Sequence, residues 1–169
     1  MVAKSGDRLL SVDAVQALRE QLLPRCDLIT PNLPEAADLL HDAEAGDEEG
    51  MLDQLGRLAT LTPGVLLKGG HLRGADSVDL LLIEGQHTRL AAPRIATTST
   101  HGTGCTLSAA IAALRPQRPD WTSAVTDAKD YLTAAIAAAD QLQVGSGHGP
   151  THHFHAVWPD PTCAKPGAD

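Results

Sequence analysis

The chain has 169 residues, 43% hydrophobic and 20% charged, which is typical of one soluble globular domain with its own core. Its net charge of −8 argues against a nucleic-acid partner, because such a partner requires a basic face. No apolar run approaches the roughly 20 residues of a membrane span. The three cysteines lie too far apart for a disulfide framework or a zinc site, so we expect a cytoplasmic protein.

The first third of the chain predicts a helix, a short strand and a second helix. Ser11 is a suitable N-cap, and Pro24 ends the first helix. The apolar residues of that helix share one face: Val12, Val15, Leu18 and Leu22. Residues 26–30 predict a short buried strand, and Pro34 fits the first position of the helix that follows. A strand followed directly by a helix is the βα step of a parallel sheet.

Asn32 and Glu35 lie in the turn between that strand and the second helix. A carboxylate at the C-terminal edge of a parallel sheet can hold the water shell of Mg²⁺, which binds few protein oxygens directly. An acidic residue in a first helical turn is also favourable for the helix dipole. The residues alone leave both interpretations open.

Lys68 stands at the end of the next predicted strand, residues 65–68, and two glycines follow it. A lysine in this position can reach the phosphates of a nucleotide as a point charge. A surface lysine before a glycine turn has the same pattern. Residues 77–84 and 86–92 then predict a hairpin that turns at Gly85.

The segment from Thr100 to Leu114 combines two glycines with the start of a helix. Gly102 and Gly104 let the backbone bend tightly, so that unpaired N–H groups of the helix start point toward one place. Those groups and the helix dipole favour a phosphate or a developing oxyanion. Cys105 lies in the first turn, where the same field favours a thiolate. The pattern predicts a phosphoryl-transfer site, and the alternative is a simple turn followed by a small core cysteine.

The last part of the chain predicts a long helix and a histidine-rich tail. Asp120 is the expected N-cap, and an apolar stripe runs from Trp121 to Leu142. We interpret this stripe as core or as a subunit contact, which leaves a homodimer open. The four histidines of the tail lack the fixed spacing of a metal site: His148, His152, His153 and His155.

Five segments of the chain resemble the hydroxymethylpyrimidine/phosphomethylpyrimidine kinases, which are ribokinase-like enzymes of the thiamine pathway. They are MVAKSGDRLL, TPNLPEAADLL, VLLKGGHL, HGTGCTLSAAIAAL and GHGPTHHFHAVW. They occur in the family's order between Met1 and Trp158. The resemblance implies an α/β fold with a mostly parallel sheet flanked by helices.

The resemblance also implies an activity and the residues that perform it. The family transfers the γ-phosphoryl group of ATP to the hydroxymethyl group of the pyrimidine and then to the resulting monophosphate, with Mg²⁺. By resemblance, Gly102, Thr103 and Gly104 stabilise the moving phosphoryl charge, and Cys105 accepts the hydroxyl proton. The remaining implied contacts are Lys68, Thr97, Gly102 and Gly104 to the nucleotide, Asn32 and Glu35 to the metal, and Met1, Val2 and Cys105 to the substrate.

The position of the first segment sets a further expectation. In the family, MVAKSGD lies well inside the protein, so residues 1–160 resemble the C-terminal portion of the kinase domain, and residues 161–169 are expected to form a disordered tail. We therefore expect this chain alone to have little activity. A pyridoxal kinase of the same superfamily and a non-catalytic nucleotide-binding fragment remain the alternatives.

Overall fold

The structure is a computed structural model that describes residues 10–142, 144 and 147–158. The expected substrate contacts at Met1 and Val2 and the expected tail at 161–169 lie outside the described residues. Within these residues, five α-helices and three β-strands follow in order: α1 (Val12–Ala17), α2 (Leu33–Leu40), α3 (Glu48–Leu58), β1 (Gly64–Lys68), β2 (Asp76–Ile83), β3 (Gln86–Pro93), α4 (Thr103–Leu114) and α5 (Trp121–Ala137).

The three strands form one sheet in the order β1-β2-β3, and both pairings are antiparallel. The prediction of a mostly parallel sheet is therefore wrong for these three strands. The tight turn at Glu84 and Gly85, both with positive φ, returns β3 directly alongside β2 as a hairpin. An antiparallel hairpin needs no crossover helix, and it supplies two of the three strands.

In the described part of the chain, the segment before α2 pairs with β1 in the parallel direction. Ile29 and Asn32 form isolated parallel bridges with Val65 and Lys68 of β1. Residues 26–30 were expected to form a strand, but Pro31 has no N–H to donate and Asn32 already caps α2. The expected βα step is present in this shortened form.

Helices cover both faces of the sheet because side chains alternate along the buried strands. One face packs on α2 and α3 through Leu33, Ala36, Met51, Leu55, Leu58, Val65, Leu67, Val78 and Leu80. The opposite face packs on α4 and α5 through Leu66, Leu81, Ile83, Leu90, Leu107, Ile111, Val125 and Ala128. The result is a three-layer α/β arrangement, which confirms the predicted class.

The helix ends differ from the sequence predictions in two places. After Ala17 the first helix continues as a π-helical turn, Leu18–Leu22, and Leu22 is 53% exposed, so the predicted apolar face does not include it. The last helix ends at Ala137, before the predicted Leu142, and a 3₁₀ turn follows it. Its stripe packs into the core, while a homodimer stays a prediction. No helix in the described part of the chain is long and apolar enough to cross a membrane.

Candidate active site

Three chain segments meet at one end of β1: the start of α2, the last residue of β1 and the start of α4. Lys68 is the centre of this meeting point. Its Nζ lies 4.0 Å from Glu35 Oε2 and 3.8 Å from the position that a Cβ atom would take on Gly104. The structure therefore brings together residues that are far apart in the sequence and that were assigned to one site.

Asn32 and Glu35 form a capping box at the start of α2. The Asn32 side-chain oxygen accepts the Glu35 N–H at 2.8 Å, and Glu35 Oε2 accepts the Asn32 N–H at 3.0 Å. Both backbone donors are thereby satisfied. The helix-start interpretation of this pair is confirmed. Glu35 Oε1 receives no hydrogen bond from the described residues, so one carboxylate oxygen stays available beside Lys68.

Lys68 is largely buried, with 18% of its side chain exposed, and its ammonium group donates a hydrogen bond to the Thr30 carbonyl oxygen. Burial lowers the pKa of Lys68 below its ordinary value of 10.5 because it removes water from the charged form. Electrostatic interactions with Glu35, Asp79 and Cys105 raise the pKa of Lys68 and so oppose that shift. Lys68 is thus a largely desolvated ammonium group with the Glu35 carboxylate beside it.

The start of α4 differs from the starts of the other α-helices that the structure describes. The side chains of Ser11, Asn32, Asp47 and Asp120 cap α1, α2, α3 and α5. The N-cap of α4 is Gly102, at φ +81°, and no side chain accepts a hydrogen bond from its first turn. The N–H groups of Thr103, Gly104 and Cys105 are therefore left for an external acceptor.

Cys105 lies in this uncapped turn as a free, exposed thiol. Cys26, by contrast, is partly buried, and its Sγ donates to the Leu22 carbonyl oxygen at 3.4 Å. Ser108 links this turn to the segment before α2. Its Oγ donates to the Gly104 carbonyl at 3.0 Å and lies 2.9 Å from Thr30 Oγ1. The position of Gly104 relative to the sheet is therefore fixed by hydroxyl contacts that the sequence did not reveal.

Thr97 is committed to other partners than the Lys68 centre. Its hydroxyl donates to Asp140 at 2.5 Å and accepts the Ser99 N–H at 3.0 Å. The loop that it begins is held by the histidine-rich segment, because the His101 N–H donates to the Gly149 carbonyl at 3.1 Å. The predicted nucleotide contact of Thr97 stays a prediction.

Sequence reasoning missed a buried ion pair behind the site. Lys129 Nζ lies 2.5 Å from Asp79 Oδ2, and the other oxygen of Asp79 accepts the Gly69 N–H at 3.1 Å. A signal was available, because Asp79 interrupts an apolar strand and Lys129 interrupts the apolar stripe of α5. Charged residues at such positions are seldom buried unless they are paired.

Comparisons with known proteins cover most of the chain. The sequence model of the family described as phosphomethylpyrimidine kinase matches residues 1–152. The chain is 56% identical over 160 residues to the hydroxymethylpyrimidine/phosphomethylpyrimidine kinase of Salmonella typhimurium, covering 94% of this chain and 60% of that protein. It is 46% identical over 158 residues to the thiamine biosynthesis bifunctional protein ThiED of Geobacter sulfurreducens, covering 93% of this chain and 32% of that protein.

A solved structure shares the fold. The ADP complex of Bacillus subtilis pyridoxal kinase superposes with a TM-score of 0.82 at 34% sequence identity, over 92% of this chain and 58% of the other.

Proposed function

Because the chain belongs to the phosphomethylpyrimidine kinase family, we propose that it carries out phosphoryl transfer from ATP to hydroxymethylpyrimidine and then to its monophosphate, in thiamine biosynthesis. The chain spans 60% of the length of its Salmonella relative, and the proposal concerns the full-length gene product. The observation that carries it is the convergence of a desolvated lysine, an uncapped helix start and an exposed cysteine.

This set of groups is suited to stabilising the transition state of phosphoryl transfer. The transition state of phosphoryl transfer is loose, so the protein mainly positions the reactants and neutralises charge. In the proposal, the N–H groups that follow Gly102 receive the equatorial oxygens of the transferred group. Lys68 neutralises charge on the nucleotide phosphates, which also compensates the cost of its burial.

Cys105 is the proposed base. As a thiolate it takes the proton of the substrate hydroxyl while that oxygen forms a bond to the γ-phosphorus, and the bond from the γ-phosphorus to ADP breaks. The first-turn position supports this role because Cys105 lies in the same turn as the N–H groups that are proposed to receive the transferred phosphoryl group. Cys105 is exposed, so a substrate oxygen can approach its Sγ.

The metal that the family implies fits the residues only in a water-mediated form. No group of three or more His, Cys, Asp or Glu side chains within the described residues is arranged to hold an ion. Glu35 offers one available oxygen, and Mg²⁺ keeps several waters and is bound largely through substrate phosphates. We propose that Glu35 and Asn32 orient these waters. When bound, the ion would neutralise charge on the β- and γ-phosphates of ATP.

A pyridoxal kinase is the second candidate, favoured by the similarity to the Bacillus subtilis structure. The chain is 34% identical to that protein and 56% identical to the Salmonella pyrimidine kinase. The larger identity supports the pyrimidine as the preferred acceptor.

A direct assay separates the candidates. The full-length gene product is incubated with Mg²⁺, ATP and one acceptor at a time, and phosphorus NMR follows the product. We expect phosphorylation of hydroxymethylpyrimidine and of its monophosphate, with a lower kcat/KM for pyridoxal. Preferential phosphorylation of pyridoxal would favour the second candidate. ADP binding without phosphoryl transfer to any acceptor would contradict both kinase candidates and favour a non-catalytic nucleotide-binding protein.

Replacing Glu35 tests the proposed metal role. Glu35→Gln keeps the capping box, because glutamine also serves at this helix position, but it removes the negative charge that orients the metal waters. We expect the Mg²⁺ concentration for half-maximal activity to rise about tenfold. Glu49→Gln, in the first turn of α3, is the matched control and should leave the titration unchanged. Identical Mg²⁺ titrations for both variants would limit Glu35 to capping α2.

A further inference from the structure

Asp79 and Lys129 form a buried ion pair next to the candidate site. Their side chains are 8% and 9% exposed, and Lys129 Nζ lies 2.5 Å from Asp79 Oδ2. Lys129 also donates to the Ser77 carbonyl at 3.2 Å. The ammonium group of α5 therefore holds the carboxylate of β2 in one orientation.

The second oxygen of Asp79 acts on the chain that carries Lys68. Asp79 is the cross-strand partner of Lys68 in the β1–β2 register, and its Oδ1 accepts the N–H of Gly69, the next residue. The same N–H also points to the Val78 carbonyl at 2.9 Å. Two acceptors on β2 therefore hold the N–H of the first residue after β1.

Stability alone is a weak reason for such a pair. Burying two charges costs solvation energy, and a well-packed apolar pair of the same volume is often as stable. Asp79 lies on the face of β2 that packs on α4 and α5, and Lys129 lies on α5 itself, in the layer where Leu81 and Val125 pack. The contact to Gly69 is what an apolar pair cannot provide.

We propose that Asp79 and Lys129 are positioning residues for Lys68. Lys129 orients the Asp79 carboxylate, and this carboxylate fixes the Gly69 N–H and thereby the direction of the main chain directly after Lys68. The proposal rests on the proposed function, in which Lys68 binds nucleotide phosphates. Neither residue of the pair touches the substrate in it.

The test compares two double variants that both remove the buried charges. Asp79→Asn/Lys129→Met keeps an oxygen acceptor for the Gly69 N–H, whereas Asp79→Leu/Lys129→Met does not. Asp79→Ala/Lys129→Met also lacks the acceptor and adds no volume, so it takes the place of the leucine variant if that variant does not fold. The full-length gene product is used, and the thermal midpoint of each variant is measured first.

Two measurements then report on Lys68. Calorimetry gives the affinity for ADP. NMR of protein with ¹³C-methylated lysines gives the titration of Lys68, assigned by its loss in Lys68→Arg. The charged groups that act on this ammonium are Glu35, Asp79 and Cys105, and Lys129 offsets Asp79. Both double variants lack the Asp79 and Lys129 charges. A difference between them in ADP affinity or in the Lys68 titration therefore reports the position of Lys68.

We expect the variant with the acceptor to bind ADP within about threefold of the parent protein and to keep the lowered pKa of Lys68. The leucine variant should bind about tenfold more weakly, and the pKa of its Lys68 should rise toward that of an exposed lysine. These differences should appear at similar thermal midpoints.

Equal ADP affinity and equal Lys68 titration in the two double variants would overturn the positioning role. A parent protein that does not bind ADP would contradict the proposed function only. In that case the Lys68 titration alone decides, since a difference between the variants supports the positioning role and identical curves refute it.

Discussion

Replacing Cys105 by alanine should lower kcat of the full-length gene product by about 10²–10⁴-fold, the range for loss of a general base. The reason is that the substrate hydroxyl loses its proton acceptor while the N–H groups of α4 and Lys68 stay in place. ADP affinity should change little, because the thiol is not among the groups proposed to hold the phosphates. Steady-state kinetics and calorimetry on the same preparations measure the two effects.

Cys26 supplies the matched control for this experiment. It is the other cysteine that the structure describes, and its thiol contacts only the local Leu22 carbonyl among the described contacts. Cys26→Ala should keep full kcat. Wild-type turnover in Cys105→Ala would remove the thiol from the mechanism, and an equal loss in both variants would indicate a general effect on folding.

Replacing Gly69 by alanine should destabilise the protein by about 3 kcal/mol, the upper range for overpacking. A Cβ at this position would lie 2.2 Å from the Val78 carbonyl oxygen and 2.9 Å from Met51 Sδ. The carbonyl belongs to the sheet and cannot move away without breaking the β1–β2 pairing. Chemical denaturation, with the slope checked for two-state behaviour, gives the free energy of unfolding.

The neighbouring Gly70 is the control for that measurement. It is exposed, and a Cβ there would meet its nearest atom, Ser77 Oγ, at 3.8 Å, which is ordinary contact. Gly70→Ala should therefore change the free energy of unfolding by no more than about 0.5 kcal/mol. Equal stability of the two variants would show that the chain at Gly69 can shift away from β2.

Local signals in the sequence were sufficient for most helix starts and for the hairpin. Ser11 and Asp120 cap their helices as predicted, and Pro34 lies in the first turn of α2. These features depend on a few neighbouring residues, so they can be inferred from the sequence alone. The direction of strand pairing depends on which distant segments meet. The short apolar run before Pro31 was therefore overestimated as a strand.

The candidate site also contains residues that could be predicted from the sequence and residues that could not. Glu35, Lys68 and Gly104 were assigned to one site from their local patterns and from resemblance, and the structure places them together. The Asp79–Lys129 pair joins residues 50 positions apart, and no local pattern specifies such a partner. Met1 and Val2 lie outside the described residues, so their substrate contacts stay predictions.

The two-sided pairing of β1 has a consequence for local unfolding. On one side β1 pairs with β2, and on the other the N–H groups of Leu66 and Lys68 donate to Ile29 and Pro31 at 2.8 and 2.9 Å. Amide hydrogen exchange at these two positions requires the segment before α2 to detach from the strand. The main chain of Lys68 is therefore ordered when the protein folds, and nucleotide binding has little backbone entropy left to remove there.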